Sequence, residues 1–301
     1  MATDHTLTLI CDPAGPGLDE ARVDDVRDAL HRLGATLEPV VWLAERIACD
    51  LPFSDLHADQ ASAAARSALG EAPIDCVAQP NRGRRKRLLV ADMESTLIRN
   101  EMLDELGDFV GLRTEIAEIT ARAMNDELDF VEALVARVAL LQGLGVETLA
   151  MAAERIEIMP GARELVATMR ADGASVVMIS GGFRFFTRRV AAELGIEWEI
   201  ANELAVVDGR LTGRIVPPIV TRQTKYDTLI QQAAALRLPL DATLAVGDGA
   251  NDLDMLAAAG LGIAFRAKPS VAIRAHHRID HGDLTALLYA QGYKAGDFVT
   301  G

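Results

Sequence analysis

Aromatic side chains are scarce, at 4% of the 301 residues, so a folded core has to be assembled mainly from Ala, Leu, Val and Ile. Only three cysteines occur, Cys11, Cys49 and Cys76. They are widely spaced and form no CxxC pair, which argues against a disulfide scaffold or a cysteine zinc site. Long hydrophobic runs are missing as well. The longest uncharged stretches, Gly173–Phe183 and Met255–Phe265, have 11 residues each, where a membrane-spanning helix needs about 20. The opening MATDHTLTLICD lacks a basic segment followed by an apolar one, so no secretory signal is visible and a reducing, cytoplasmic setting is the expectation. Positive charge is the minority sign: 30 Lys and Arg face 44 Asp and Glu, a formal net charge of −14. A polyanionic nucleic acid would be repelled by such a chain. A small anionic substrate remains compatible, provided a cation neutralises it locally. Half of the residues are hydrophobic, which excludes a disordered chain, and the length points to about two domains.

The first 80 or so residues read as a small α/β unit. Thr6–Cys11 has strand character, about Leu18–Leu33 an amphipathic helix, Leu37–Ile47 an apolar extended segment, Gln60–Leu69 an Ala-rich helix and Ile74–Val77 a short strand. The basic run from Pro80 to Arg87, PNRGRRKR, is expected to be a solvated connector rather than a nucleic-acid patch, because the rest of the chain is acidic. Beyond it, short apolar runs each lead into a polar or glycine-rich cluster. Arg87–Ala91 precedes Asp92-Met93-Glu94-Ser95-Thr96, Ser175–Ile179 precedes Ser180-Gly181-Gly182, and Thr243–Val246 precedes GDGAND at 247–252; Gly262–Phe265 is a further strand. Helical patterns at Ala162–Arg170, Phe185–Leu194 and Lys225–Leu236 separate them. Alternating strand and helix predicts a doubly wound parallel sheet, with ligands beyond the carboxyl ends of its strands, where all three clusters would meet. Between the first two clusters, Glu101 to about Ile158 is helical in texture, with apolar Phe130, Leu134, Val138 and Leu141 on one face. It reads as a helical insertion covering the site.

The clusters carry specific chemistry. Asp92, at the end of an apolar strand, is a carboxylate that can attack phosphorus without a neighbouring base. Glu94 supplies a second carboxyl group, and one such group can protonate a leaving alkoxide and then deprotonate the attacking water. Asp248 and Asp252 bracket a glycine-rich turn and offer the hard oxygen ligands that Mg²⁺ prefers. Ser180, followed by two glycines and the start of a helix, suits an anion site. Lys225 opens a helix, where a cation opposes the dipole unless an anion lies nearby. Each residue alone has an ordinary explanation as a cap, turn or surface charge. The order Asp-x-acid-Ser-Thr, Ser-Gly-Gly, Lys and GDGxND does not.

In that order, and over about Lys86 to Leu288, the chain resembles the haloacid dehalogenase superfamily of phosphatases, and within it the phosphoserine phosphatases. The segment from Asp92 to Glu101, and the pattern Met124-(x3)-Leu128-Asp129-Phe130-(x2)-Ala133-Leu134-(x2)-Arg137-Val138, carry the closer likeness. The resemblance implies an α/β fold: a haloacid dehalogenase-like, Rossmann-like core (83–100 and 159–301), a small helical cap (101–158) and an N-terminal α/β, ACT-like domain (1–82). It implies Asp92 as nucleophile and Mg²⁺ ligand, with Glu94 giving the ion a backbone carbonyl and the reaction a proton. Asp248 would ligate the metal, and Asp252 would belong to the same metal site, orienting metal-bound groups. Ser180, Gly181, Lys225 and Asn251 would hold the phosphoryl group, Glu101 the substrate ammonium and Arg137 its carboxylate. The implied reaction is Mg²⁺-dependent hydrolysis of O-phosphoserine through an aspartyl phosphate, as the last step of serine biosynthesis, with no nucleic-acid or membrane partner. Glu94 departs from the family pattern, which has aspartate there. That departure keeps two alternatives open: a phosphatase for another small phosphomonoester, and a weakened phosphatase fold serving as an amino-acid-binding regulator. For the N-terminal unit, a module that forms a homodimer or senses an amino acid and a passive stabilising domain are both compatible with the sequence.

Overall fold

The computed structural model describes residues 4–124 and 128–300. Residues 125–127, within the cap pattern, and the side chain of Met124 lie outside the described residues. The chain begins with β1 (His5–Cys11), α1 (Glu20–Arg32), β2 (Thr36–Leu37), β3 (Val41–Ala44), β4 (Ala48–Ser54), α2 (Ala58–Leu69) and β5 (Ile74–Pro80). These strands form an antiparallel sheet in the order β2-β4-β1-β5, with β3 also on β4. Alternation along β1 explains how the sheet is used. Leu7, Leu9 and Cys11 face the two helices, meeting Leu18, Val26, Leu30, Ala61 and Ala65. Ile10 points the other way, into a cluster that continues through the rest of the molecule. On that second face Thr8 donates to Asp50 at 2.7 Å.

Strand β4 is not legible as a strand because Asp50 and Pro52 interrupt its apolar pattern. Its buried Asp50 is answered by Arg84, whose Nη1 and Nη2 donate to the two carboxylate oxygens at 2.7 and 3.0 Å. The basic connector is therefore solvated only in part: Pro80, Arg82, Gly83, Arg85 and Arg87 are exposed as the sequence suggests, whereas Arg84 and Lys86 turn inward. Arg84 also donates to the Ala290 carbonyl, and buried Lys86 donates to the Gly83 and Asp241 carbonyls at 2.9 and 2.8 Å. Arg85 lies over the Tyr293 ring at 4.1 Å. From β5, the Asp75 carboxylate accepts the backbone N–H groups of Asp280, His281 and Gly282. Buried polar groups thus fasten the first sheet to the second half of the chain.

After β6 (Leu88–Ala91) come four helices, α3 (Met102–Val110), α4 (Arg113–Met124), α5 (Phe130–Ala139) and α6 (Val146–Ala153). Helix α5 opens with a capping box: Asp129 accepts from the Glu132 N–H at 2.8 Å, and Glu132 accepts from the Asp129 N–H at 3.2 Å. Leu134, Val138 and Leu141 are buried as the spacing predicts, but Phe130 is not. The two segments that enter and leave the helical insertion are zipped together by Arg99 N–H on the Glu157 carbonyl and Met159 N–H on the Leu97 carbonyl.

The chain then alternates through α7 (Ala162–Ala171), β7 (Ser175–Phe183), α8 (Arg184–Leu194), β8 (Trp198–Val207), β9 (Arg210–Val216), α9 (Arg222–Ala235), β10 (Thr243–Gly247), α10 (Leu253–Ala258), β11 (Leu261–Phe265), α11 (Pro269–Ala272), β12 (His277–Ile279) and α12 (Ala286–Ala290). The second sheet runs β12-β11-β10-β6-β7-β8-β9. Its neighbours are parallel except for the β8/β9 hairpin. On one face Leu89 and Met178 pack with Leu165 and Phe186. On the other, Leu88, Val90 and Val177 pack with Leu229 and Leu256. Helices on both faces of strands that are apolar on both faces give the doubly wound architecture. The β8/β9 hairpin lies at the sheet edge and reaches the helical insertion, where Gly143 and Leu211 exchange backbone bonds with Leu211 and Leu144. Among the described residues no helix is long and apolar enough to cross a membrane.

Candidate active site

Parallel register brings the three clusters to one edge of the second sheet. Ala91 pairs with Val246 and with Met178, and the Asp92 N–H donates to the Val246 carbonyl at 3.0 Å. Asp92, one residue past β6, and Asp248, one past β10, therefore stand side by side. Together with the helical insertion they border a cavity of about 600 Å³. Seven of the ten residues singled out from the sequence line it: Asp92, Glu94, Glu101, Arg137, Gly181, Asp248 and Asn251. The other three lie beneath. Lys225 is 1% exposed, and Asp252 and Ser180 are fully buried.

The floor is an ion-paired network. Lys225 Nζ lies 2.9 Å from Asp92 Oδ1 and 2.6 Å from Asp252 Oδ1. The tension between its cation and the start of α9 is resolved by these two carboxylates. Burial pulls the Lys225 ammonium down, but Asp252 and Asp92 outweigh it and hold the proton on. Burial raises the Asp92 carboxyl, with Lys225 opposing and Asp252 and Asp248 reinforcing the rise. Asp248 is pushed up to about 6 by burial, Asp252 and Glu101. Such carboxylates, crowded and desolvated, favour a cation among them.

Ligand oxygens of Asp92, Asp248 and Asp252 lie within 4.8 Å of one another. Their availability differs. Asp252 Oδ2 accepts the Gly249 N–H at 3.0 Å and its Oδ1 serves Lys225. Asp92 uses Oδ1 for both Lys225 and the Met93 N–H, and among the described residues its Oδ2 accepts no hydrogen bond. The donor set fits a hard divalent cation held mainly by Asp92 and Asp248, with Asp252 tying the turn down. The turn needs its glycines: a Cβ at Gly247 would sit 2.3 Å from Asp252 Cγ, and one at Gly249 2.3 Å from Asn251 Oδ1.

Glu94 is half-buried against the irregular end of β7. Its Oε1 accepts the Met102 N–H at 2.9 Å, and a Cβ at Gly182 would lie 2.7 Å from its Oε2. Burial, then the Glu101 charge, push its carboxyl well above the ordinary range, with the Met102 N–H opposing. The expectation that Ser180 stands at a helix N-terminus needs correcting. Strand β7 runs on irregularly to Phe183, α8 starts only at Arg184, and the Ser180 hydroxyl accepts the Gly182 N–H at 2.9 Å. The serine shapes the loop, and Gly181 is what borders the cavity.

From the roof, Glu101 starts α3 and Arg137 lies on the last turn of α5. The Arg137 Nε donates to its own helix at the Ala133 carbonyl, 3.3 Å away. Among the described residues no carboxylate pairs with it, so its guanidinium edge is left for a ligand. Thr120, Phe130, Lys268 and Ser270 also line the cavity. Phe130 leans over Gly181, with its Cζ 3.4 Å from where a Cβ would be. Its place in an apolar stripe masks this contact, and Lys268 carries no sequence signal that separates it from any surface lysine.

The sequence profile of the haloacid dehalogenase-like hydrolases matches residues 89–257. The chain is 45% identical over 214 residues to phosphoserine phosphatase SerB2 of Mycobacterium tuberculosis, covering 71% of this chain and 52% of that protein, so it spans about half the length of that relative. It is 37% identical over 261 residues to phosphoserine phosphatase of Vibrio cholerae, covering 87% and 78% of the two chains. Among solved structures, an unliganded probable phosphoserine phosphatase from Vibrio cholerae superposes with a TM-score of 0.76 at 31% identity, covering 96% of this chain and 88% of the other. A phospho-aspartyl intermediate analogue of phosphoserine phosphatase superposes with a TM-score of 0.64 at 37% identity, covering 68% and 98%.

Proposed function

The chain belongs to the haloacid dehalogenase-like hydrolases, and from that premise we propose that it hydrolyses O-phosphoserine to serine and phosphate with the help of Mg²⁺. The observation that carries this reading is the pairing of two sites across one cavity. A buried Lys225–Asp92–Asp252 network forms the floor, and an opposite-charge pair, Glu101 and Arg137, lines the roof. A phosphate at the floor and a zwitterionic amino acid at the roof match that layout. Asp92 attacks phosphorus while Glu94 gives its proton to the departing serine oxygen. Water then cleaves the aspartyl phosphate, and Glu94 is reprotonated by the proton it takes from that water as Asp92 leaves phosphorus. Lys225 and the Gly181 and Asn251 edge hold the phosphoryl oxygens and balance their charge. Asp92 and Asp248 would hold Mg²⁺, which would supply charge neutralisation between the carboxylate nucleophile and its anionic target. The division into an N-terminal unit (1–82), a core (83–100 and 159–301) and a cap (101–158) belongs to the same reading, supported by the two separate sheets and the zipped cap linkers.

Phosphate release from a small panel of phosphomonoesters, with and without Mg²⁺, tests the proposal. Release is expected to require Mg²⁺ and to favour O-phosphoserine. Arg137→Ala should lower kcat/KM for O-phosphoserine by roughly one to two decades, the usual cost of losing a hydrogen-bonded charge partner. Phosphoethanolamine, which has no carboxylate, should be affected far less. Equal losses on both substrates would remove Arg137 as the carboxylate reader.

Linkage between protons and the cation gives a second check. The folded protein holds protons on Asp248 up to about pH 6, and on Asp92 beyond its ordinary range. The unfolded chain has already released them above about pH 4. Folded carboxyls with raised pKa values therefore make cation-free protein lose stability as pH rises through that window. His277, half-buried and pulled down to about 4 by desolvation, works in the opposite direction, but it does so with or without Mg²⁺. The increase in melting temperature on adding Mg²⁺ should accordingly grow from about pH 5 to about pH 8, because the ion competes with fewer protons. An increment that shrinks over this range would contradict the assignment of Asp92 and Asp248.

A further inference from the structure

Ser95 has a backbone φ of +54°, a left-handed conformation that glycine adopts without steric conflict and serine does not. The tight turn after β6 imposes it: the N–H groups of Thr96, Leu97 and Ile98 all point back to the Met93 carbonyl. A turn of this kind is served best by glycine, so a serine here invites a reason. Its hydroxyl supplies one by donating to Glu101 Oε1 at 2.7 Å. Glu101 is otherwise loosely held. It is exposed, and although it occupies the N-cap position of α3 its side chain makes no capping bond. Arg137 faces the same cavity with no ion pair among the described residues, and the Glu101 charge is felt at Arg137, at Glu94 and at Asp248. A free glutamate side chain at this place would swing to the nearest cation.

We infer that Ser95 is a positioning residue for substrate selection: its hydroxyl fixes the Glu101 carboxylate at the cavity wall, apart from Arg137. The two roof charges then read the ammonium and the carboxylate of an amino-acid phosphate instead of neutralising each other. The inference rests on the proposed role of Glu101 and adds to it the element that keeps the two readers separate. Ser95 touches neither the phosphorus nor the substrate in this scheme, so its loss bears on recognition rather than on the chemical step.

Ser95→Gly removes the hydroxyl while suiting the turn, so it should fold, with a melting temperature within about 2 °C of the parent protein. KM for O-phosphoserine should rise about tenfold, the scale of one hydrogen bond to a charged group, with kcat within about twofold. KM for 3-phosphooxypropionate, which keeps the carboxylate and phosphate but has no ammonium, should not change. In a Glu101→Gln background, Ser95→Gly should have no further effect on KM, because the group that it positions has already lost its charge. If Glu101→Gln raises KM for O-phosphoserine and Ser95→Gly does not, the positioning role is wrong and the reading of Glu101 stands. If Glu101→Gln itself leaves the preference between the two substrates untouched, the reading of Glu101 fails, and this inference with it. Equal effects of Ser95→Gly on both substrates, or a fall in kcat alone, would mark the serine as merely structural and overturn the inference.

Discussion

Asp92→Asn is expected to abolish phosphate release, lowering kcat by at least about 10³-fold, the scale seen when a covalent nucleophile is removed. The amide has the same shape as the carboxylate but no charge with which to attack phosphorus. Folding should not suffer. Asp92 sits among Asp248, Asp252 and Lys225, and burial already works against its charged form. The neutral amide relieves that repulsion while Asp252 keeps its contact with Lys225. The variant should therefore melt at or above the parent temperature in cation-free buffer near pH 8. Steady-state phosphate release and a thermal melt, with deamidation checked by mass, decide the matter. More than a few per cent of residual turnover would remove Asp92 from the role of nucleophile.

Asp92 belongs to a part of the molecule that is legible in the chain. Asp92, Ser180 and Asp248 each follow a short run of apolar residues, and parallel strands can only place such runs side by side with their carboxyl ends together. Lys225 is legible for a related reason, since a cation in the first turn of a helix is out of place without an anion nearby, and the anions are Asp92 and Asp252. Other features fail for equally physical reasons. Pro80 to Arg87 looks like a solvated tract because composition reports charge and not partners. Its partners, Asp50, Ala290 and Asp241, come from distant parts of the sequence. Strand β4 hides behind Asp50, a buried charge made tolerable by Arg84 and Thr8. The β8/β9 hairpin does carry a local signal, Asp208-Gly209, with both residues at positive φ as a two-residue hairpin turn demands. Its flanks are obscured because Trp198, Val206, Val207 and Val216 are exposed, so no alternation of buried and exposed residues marks the strands. The covering helices are recognisable as helices, yet Phe130 shows the limit of periodicity: it shares a stripe with core residues and serves the cavity instead.

Glu94 stands where the likeness to the family leads one to expect aspartate. Its longer side chain is accommodated. Oε1 accepts the Met102 N–H at the start of α3, and glycine at 182 leaves room for Oε2, which a Cβ there would meet at 2.7 Å. Burial and Glu101 hold the carboxyl in its protonated form beyond the ordinary range, which is the state a proton donor needs when the ester oxygen of a phosphomonoester leaves. Glu94→Gln keeps the length and an oxygen for Met102 but has no proton to trade. It should lower kcat by about 10²–10⁴-fold, the usual worth of general acid–base catalysis, with little change in KM or in Mg²⁺ dependence. Glu94→Asp restores the residue type of the family pattern yet withdraws the carboxyl by about one C–C bond, roughly 1.5 Å, from a donor that already meets it. In this chain it should therefore slow the reaction, by about tenfold, and leave its pH dependence in place, since misplacement by about an ångström costs rate without removing the titrating group. The order of rates, parent above Asp above Gln, is the measurement that matters. A Gln variant that matches the parent across the pH range would make Glu94 a spectator of the proton transfer, and the acid would have to be sought elsewhere along the cavity wall.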